Sequence, residues 1–332
     1  MLKIHFPDGS SRAFESPVSG LAIAQALSPS LTKRCIAIKV DGVLVDLNRP
    51  IDHDSSIQLI TDSDPAALEI LRHSAAHLLA EAIRSLYPEA KFGVGPAIEE
   101  GFYYDIDLGD VVLTESDLPA IEKQMLKIAN ENRAVGRREL PKAEALELFA
   151  ADPYKIELIK ALPDDEIISV YAQGDFTDLC RGPHLPSSKW LRHFKLTSLA
   201  GAYWRGDSKN KQLTRVYGTA FFTAQELADH LLMVEERKKR DHRKLGKELD
   251  LFMLSEYGPG FPFWLPKGMI LRRELENFWY KVHVKEGYQL IQTPIMLNKE
   301  LWVVSGHWLN YRENMYTSTI DDEEYAIKPM NC

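Results

Sequence analysis

Residues 65–87 are patterned as one amphipathic α-helix that carries a pair of histidines. Apolar side chains recur along this stretch at the spacing of a helix: Leu71, Ala75, Leu78, Leu79, Ala82, Ile83 and Leu86. At about 100° per residue these side chains centre on one side, and His73 and His77 lie nearly opposite. Histidines four residues apart on a helix are neighbours. The pattern therefore predicts that both imidazoles point away from the apolar stripe of their own helix.

Farther along the chain, Asp178, Cys180 and His184 form a second group of polar residues. In an extended segment, Asp178 and Cys180 share one face of the strand. Gly182 and Pro183 then turn the chain, which can bring His184 back toward them. Together with the helical pair, this group supplies three imidazoles, a thiol and a carboxylate to what looks like a single domain.

Two chemistries fit this set of side chains. Neutral imidazoles and a thiolate are ligands for Zn²⁺, which activates bound water. Without a metal, the same groups position water and a substrate carbonyl by hydrogen bonding and acid–base catalysis. Histidines four residues apart also occur by chance on surface helices, but the second polar group makes a functional site the better interpretation. The spacing leaves the choice between the two chemistries open.

Composition excludes several classes of protein. The chain has 332 residues, 45% of them hydrophobic, which is ordinary for folded domains. Three scattered cysteines are too few for a disulfide framework, so we expect a reducing, cytoplasmic setting. No apolar run reaches the length of a membrane span, and the first residues, which lack an apolar stretch after a basic start, predict no signal peptide. A net charge of −8 argues against coating nucleic acid with the whole surface, so RNA contacts require local basic patches.

The pattern predicts an α+β multidomain fold with four segments. These are a small β-rich module, an α+β domain, a linker helix and the start of a further domain, over residues 1–61, 62–223, 224–247 and 248–332. Residues 62–65 are expected to cap the histidine helix. Other predicted helices cover residues 20–27, 115–132, 142–150, 224–249 and 269–286. Predicted strands cover residues 2–6, 11–14, 35–40, 43–46, 56–60, 167–171, 190–198, 212–218 and 288–293.

At these residues the chain resembles bacterial threonyl-tRNA synthetases. The resemblance is carried by motifs at residues 7–10 (PDGS), 73–77 (HSAAH), 101–105 (GFYYD), 178–184 (DLCRGPH), 201–207 (GAYWRGD), 240–246 (RDHRKLG), 248–252 (ELDLF), 306–308 (GHW) and 328–332 (KPMNC). It implies a β-grasp-like TGS module, an α+β editing domain (the second additional domain), a linker helix and the start of a class II antiparallel-sheet catalytic domain.

The resemblance also implies a metal-free editing site, although the related alanyl editing domain binds zinc through a comparable set of residues. Its members would be His73, His77, Lys155, Asp178, Cys180 and His184. Taken alone, Lys155 would be a solvated surface lysine. The resemblance matches Cys332 to a zinc ligand of the synthetic site. It places the other zinc ligands and all ATP-binding residues outside this sequence.

For the longer enzyme, the resemblance implies threonine, ATP with Mg²⁺ and tRNA(Thr) as substrates. Residues 275–294 resemble class II motif 1, which implies a homodimer. The basic stretch over residues 237–247 is expected to contact the acceptor arm of the tRNA, although a solvated helix face is an equal alternative.

An editing site is needed because serine differs from threonine by one methyl group. One methyl group discriminates by only about 10–200-fold, so a second, hydrolytic site must remove serine. In this hypothesis, His73, His77 and Asp178 hold the seryl group and the terminal ribose. Cys180 and His184 position or activate the water, and Lys155 stabilises the charge that develops on the ester oxygen.

Three functions are compatible with parts of this sequence. The preferred one is threonine–tRNA ligase, represented by its N-terminal half, which would edit Ser-tRNA(Thr) but not aminoacylate. A free-standing Ser-tRNA(Thr) deacylase has no need of the motif 1 segment or the motif at Cys332. A non-catalytic RNA-binding protein has no need of the histidine, cysteine and aspartate group.

Overall fold

A computed structural model describes residues 1–330, in which the chain forms two compact units that divide between Glu236 and Arg237. None of the helices in these described residues is long and apolar enough to cross a bilayer.

The first unit begins with a small mixed module. Its elements are β1 (Leu2–His5), β2 (Ser11–Phe14), β3 (Val18–Ser19), α1 (Gly20–Leu27), α2 (Pro29–Arg34), β4 (Cys35–Val40), β5 (Val43–Asp46), β6 (Pro50–Ile51) and β7 (Ser55–Thr61). Five strands form one sheet in the order β2-β1-β7-β4-β5, with β1 and β7 parallel. Asp41 and Gly42 both have positive φ between β4 and β5, as a two-residue hairpin turn requires. The predicted strands and helix of this module are confirmed.

The rest of the first unit is an α+β arrangement around one central helix. Its elements are α3 (Pro65–Leu86), β8 (Lys91–Phe92), β9 (Ala97–Ile98), β10 (Gly101–Asp107), α4 (Leu118–Asn130), β11 (Val135–Leu140), α5 (Lys142–Leu148), α6 (Pro153–Lys160), β12 (Ile168–Gln173), β13 (Phe176–Leu179), β14 (His193–Tyr203), β15 (Gln212–Phe221) and α7 (Ala224–Lys239), whose last three residues belong to the second unit. Two sheets follow the orders β14-β15-β10-β8 and β11-β12-β13, with β9 paired to β10. The histidine helix is therefore confirmed as α3.

One hydrophobic cluster joins the N-terminal module to α3. Ile36, Ala37 and Ile60 from the module belong to the same buried cluster as Leu71 and Leu78 of α3. The module therefore shares a core with the domain that carries the histidines.

The predicted cap of α3 is confirmed in position, since Asp64 is the N-cap residue and Pro65 lies in the first turn. The Asp64 carboxylate makes no capping bond to the helix, however, because it accepts the backbone N–H and the hydroxyl of Thr61 instead. Two other local predictions are wrong. The predicted linker helix is two helices, because Asp241 leaves the helical conformation at φ −56° and ψ 124° and caps the next helix through the N–H of Arg243. Residues 288–293 form no strand, since no described strand pairs with them.

The second unit contains short elements around one long helix. They are α8 (His242–Glu248), β16 (Phe252–Met253), β17 (Phe263–Trp264), α9 (Pro266–Lys285), β18 (Met296–Asn298), α10 (Lys299–Val304), α11 (His307–Tyr311), β19 (Thr317–Ile320) and β20 (Glu323–Ile327). β16 pairs with β17, and the other strands form a sheet in the order β18-β20-β19. Along α9, Gly268 is the one described residue that is buried.

Candidate functional site

Four side chains from two parts of the first unit meet at one point. His73 and His77 project from α3, Cys180 follows β13, and His184 lies after the turn at Gly182, where φ is +71°. The thiol sulfur of Cys180 is 3.1 Å from Nε2 of His73 and 3.2 Å from Nε2 of His184. One ligand atom from each of the four side chains lies within 4.8 Å of the others. The folding-back of His184 that the sequence predicts is present.

Asp178 lies beside this cluster in a buried network of its own. Lys155 Nζ is 2.5 Å from Oδ1 of Asp178, and both side chains are almost fully buried. The hydroxyl of Tyr104 donates to Oδ2, and the backbone N–H of Leu179 donates to Oδ1 at 2.8 Å. Nδ1 of His77 is 3.6 Å from Oδ2. The carboxylate is thus held on three sides and turned toward His77 on the fourth.

Lys155 is not the surface lysine that its sequence context suggests by default, since the residue is only 3% exposed. Asp152 caps α6 by accepting the N–H groups of Tyr154 and Lys155, and this starts the helix with the lysine facing inward. Besides Asp178, the ammonium group donates to the carbonyl of Gly93 at 2.9 Å and to the Tyr104 hydroxyl at 3.1 Å. All three ammonium hydrogens are therefore committed.

Ser74 orients the ring of His184 and was not singled out from the sequence. The Ser74 hydroxyl oxygen accepts the N–H of Leu185 at 3.0 Å and lies 3.1 Å from Nδ1 of His184. A buried hydroxyl hydrogen needs an acceptor, so Ser74 donates to Nδ1. Neutral His184 then carries its proton on Nε2 and donates to the sulfur of Cys180, whose own S–H is left to donate to His73.

Burial keeps this cluster uncharged near neutral pH. It lowers the pKa of His73, and it lowers the pKa values of His77 and His184 well below their ordinary range, with the neighbouring imidazoles as a further cause. Burial also raises the pKa of the Cys180 thiol to about 12. Three neutral imidazoles and a protonated thiol therefore face one another.

The chain is similar to known proteins over its whole length. A family model described as the threonyl and alanyl tRNA synthetase second additional domain matches residues 168–217, which include Asp178, Cys180 and His184. A TGS domain model matches residues 2–61. A threonine–tRNA ligase of Clostridioides difficile (strain 630) is 55% identical over all of this chain and 52% of its own length. Along its whole length the chain is therefore similar to threonine–tRNA ligases, and it contains matches to their TGS and second additional domains.

A second curated relative shows the same relation. The threonine–tRNA ligase of Enterococcus faecalis (strain ATCC 700802 / V583) is 54% identical over all of this chain and 52% of its own length. The chain thus spans about half the length of the curated synthetases that it matches. A solved structure titled the RNA binding domain of threonyl-tRNA synthetase from Cryptosporidium parvum Iowa II is 38% identical over 28% of this chain and 24% of its own, but its TM-score of 0.28 is too low to compare folds.

Two remaining predictions from the synthetase resemblance concern the second unit. Cys332, the predicted zinc ligand, lies outside the described residues, and its role stays a prediction. The basic stretch begins at the end of α7 and continues through α8, where Arg243 pairs with Asp241 at 2.9 Å and Lys244 with Glu248 at 3.9 Å. Its predicted contact with tRNA also stays a prediction.

Proposed function

We propose that the first unit hydrolyses the ester bond of Ser-tRNA(Thr), as the editing site of a threonyl-tRNA synthetase. One observation carries the proposal: His73, His77, Cys180 and His184 converge beside the buried Asp178–Lys155 pair. Convergent titratable groups whose pKa values are displaced from their ordinary range are typical of catalytic sites. The family supplies the substrate class, an aminoacyl ester on the 3′ end of a tRNA.

Water, rather than Cys180, is the nucleophile in this proposal. A thiol attacks as its thiolate, and burial raises the pKa of Cys180 to about 12 while lowering that of the adjacent His73. A thiolate–imidazolium pair would require the opposite shifts. Cys180 therefore acts as a hydrogen-bonding bridge between His184 and His73.

The geometry favours His77 as the base that activates this water. Asp178 is fixed by Lys155 and Tyr104, and its free side faces Nδ1 of His77 at 3.6 Å. This distance is long for a hydrogen bond in the free protein and is expected to shorten when substrate binds. With the proton held on Nδ1 by the carboxylate, Nε2 of His77 is a free acceptor for a proton from water.

His73 is the donor to the substrate. Because Cys180 donates to Nε2 of His73, the neutral ring carries its proton on Nδ1. That N–H is available to the ester carbonyl oxygen as negative charge develops on it. Lys155 is a positioning residue for Asp178 in this scheme, rather than the group that stabilises the ester oxygen, because its hydrogens are already committed.

Three imidazole nitrogens and a sulfur are also a suitable ligand set for Zn²⁺, and their spacing fits one ion. His73, His77, Cys180 and His184 would hold it, and such an ion lowers the pKa of a bound water. If all four ligated, however, the tetrahedral shell would be closed, whereas a catalytic zinc keeps one position open. We therefore propose metal-free hydrolysis, in which each of these four side chains forms a hydrogen bond or transfers a proton.

For the longer protein, we propose threonine–tRNA ligase activity. Threonine, ATP with Mg²⁺ and tRNA(Thr) would be its substrates, zinc would bind in the synthetic site, and the enzyme would act as a homodimer. The proposed domains are a TGS domain, an editing domain, a linker and the first part of the catalytic domain, over residues 1–61, 62–223, 224–247 and 248–332. The proposal is supported by the two curated relatives named above, which match this whole chain and are named threonine–tRNA ligases.

The test is deacylation of Ser-tRNA(Thr) and Thr-tRNA(Thr) by the purified chain. The chain should release serine and spare threonine. His77→Ala and His73→Ala should each reduce serine release by about 100-fold or more, the range expected for removing a general base. His53→Ala, an exposed histidine in the N-terminal module, is the matched control and should leave the rate unchanged. Serine release by His77→Ala at the parent rate would refute the assignment.

A further inference from the structure

An apolar groove opens beside Cys180 and is lined by residues of α6, β12, β13 and the segments next to them. Its volume is about 270 Å³. Cys180 and Ser169 belong to its polar lining, and its apolar lining consists of Leu158, Leu162, Ile167, Ile168 and Leu179. The sulfur of Cys180 also contacts His73 and His184. The groove and the histidine cluster therefore share one residue.

One wall of the groove is fixed to the backbone of Cys180. The N–H of Cys180 donates to the carbonyl of Ser169 at 3.2 Å, and the Ser169 hydroxyl donates to the carbonyl of Cys180 at 2.5 Å. Two hydrogen bonds thus hold this wall in place relative to the residue that bridges His73 and His184. A ligand seated against it lies next to the groups of the proposed reaction.

The rim of the groove carries an exposed apolar side chain and an exposed cation. Ile167, immediately before β12, is 65% exposed. Arg181 follows Cys180, and its side chain is 83% exposed. One of its terminal nitrogens lies 3.3 Å from Oε1 of Glu166. A guanidinium group carries five N–H donors, more than this contact can use, so it can also bind an anion.

The single-stranded end of an RNA matches this combination of surfaces. Proteins recognise such ends by holding unstacked bases against apolar or planar side chains and by contacting phosphates with arginine. In the proposed reaction the ester on the terminal ribose lies at the histidine cluster. The penultimate nucleotide is joined to that ribose by one phosphate, so it must lie close by, and the groove beside Cys180 is close by.

The size of the groove fits one base of this nucleotide. Its volume lies below the range of about 300–1,000 Å³ that is typical of sites for whole small-molecule ligands. A tRNA ends in the sequence CCA, so the penultimate base is cytosine, which has a single ring. Burying that ring against Ile167 would also remove apolar surface of the protein from water.

We propose that the groove binds the base of the penultimate nucleotide of Ser-tRNA(Thr), and that Arg181 binds the phosphate that links it to the terminal nucleotide. This inference rests on the proposed function, because the position of the ester determines which nucleotide reaches the groove. The groove then contributes to binding of the substrate and not to the hydrolytic step, so its residues act on KM more than on kcat.

The first experiment compares serine release from Ser-tRNA(Thr) and from a seryl ester of adenosine, which lacks the penultimate nucleotide. For Ser-tRNA(Thr), Ile167→Ser should raise KM about threefold to tenfold and Arg181→Gln about tenfold, with little change in kcat. The ratio of kcat/KM between the two substrates should fall by the same factors. Arg181→Lys keeps the charge and should lose less.

Two matched variants in the first unit control for a general surface effect. Val112→Ser changes an apolar residue that is as exposed as Ile167, and Lys195→Gln removes an exposed cation that pairs with Glu122. Neither residue lines the groove, so both variants should leave the ratio of the two kcat/KM values unchanged. A fall in this ratio equal to that in Ile167→Ser and Arg181→Gln would overturn the proposal.

A second experiment does not depend on hydrolysis. It measures, by fluorescence anisotropy, the Kd of the full chain for an acceptor-arm RNA hairpin that ends in CCA. Removing the penultimate base should weaken binding to the parent chain about threefold to tenfold. The same removal should have little further effect in Ile167→Ser, because the base and the side chain no longer contact each other.

These measurements separate the groove from the hydrolytic site. If the parent chain hydrolyses neither ester, the proposed function fails, and the dependence of Kd on the penultimate base still supports the groove. Equal weakening in the parent chain and in Ile167→Ser would overturn the assignment of the base. A dependence on Ile167 that follows the terminal base, instead of the penultimate one, would overturn it as well.

Discussion

Replacing Lys155 by methionine should destabilise the first unit strongly, because it leaves the Asp178 carboxylate buried without its cation. The two side chains are 4% and 2% exposed, so water cannot replace the ammonium group. Removing one partner of a buried ion pair costs about 3–5 kcal/mol. The donors that remain on Asp178, from Tyr104 and Leu179, place the expected loss at the lower end of that range. That is a large fraction of the net stability of about 5–15 kcal/mol typical of a folded domain.

The free energy of unfolding of the first unit alone is measured by urea unfolding, with hydrogen exchange in peptides of α3 as the readout. The control is Lys195→Met, since Lys195 forms a more exposed pair with Glu122 at 3.0 Å and should contribute less than about 1 kcal/mol. Adding Asp178→Asn to Lys155→Met removes the unpaired charge and should restore part of the loss. If Lys155→Met costs no more than Lys195→Met, the buried pair is not what holds the carboxylate in place.

Three further predictions follow from the geometry of the cluster. In the folded chain the pKa values of His73, His77 and His184 lie below the ordinary 6.5. The stability that these neutral imidazoles contribute is therefore complete above pH 6.5 and is lost as the pH falls below it. Urea unfolding at decreasing pH should show this loss of stability, and His184→Gln should show a smaller loss. Gly182→Ala should destabilise the chain and abolish serine release, because φ is +71° and the new Cβ would overlap the Tyr171 hydroxyl; a fully active, equally stable variant would contradict the described turn. Dialysis against a chelator should leave serine release unchanged, and a loss that Zn²⁺ restores would refute the metal-free scheme.

The sequence was informative about the site where its residues are close in the chain. The spacing of His73 and His77 predicts neighbouring imidazoles on α3, and the turn at Gly182 predicts the return of His184. Helical and hairpin periodicity likewise predicted α1, α3 and the strands of the N-terminal module. These features depend on local geometry, which a single sequence encodes directly.

Contacts between distant residues could not be predicted in this way. Tyr104 lies on β10, a strand whose residues are mostly buried on both faces, so the alternation that marks a strand is missing. Lys155 looks like a surface residue until Asp178 is placed beside it. Ser74 is far from His184 in the chain, and nothing in its local sequence indicates that contact. The resemblance supplied Lys155, and only the folded chain supplied Ser74.

The hydrophobic cluster that joins β4, β7 and α3 determines how the first unit loses its structure. Because Ile36 and Ile60 pack in the same core as Leu71 and Leu78, unfolding the N-terminal sheet removes the support of the histidine helix. The module and the helix then belong to one cooperative unit, which melts in a single transition. A substitution in the module, far from any imidazole, would therefore lower the fraction of molecules with an intact cluster. The proposed editing activity and the folded fraction would fall together as the temperature rises.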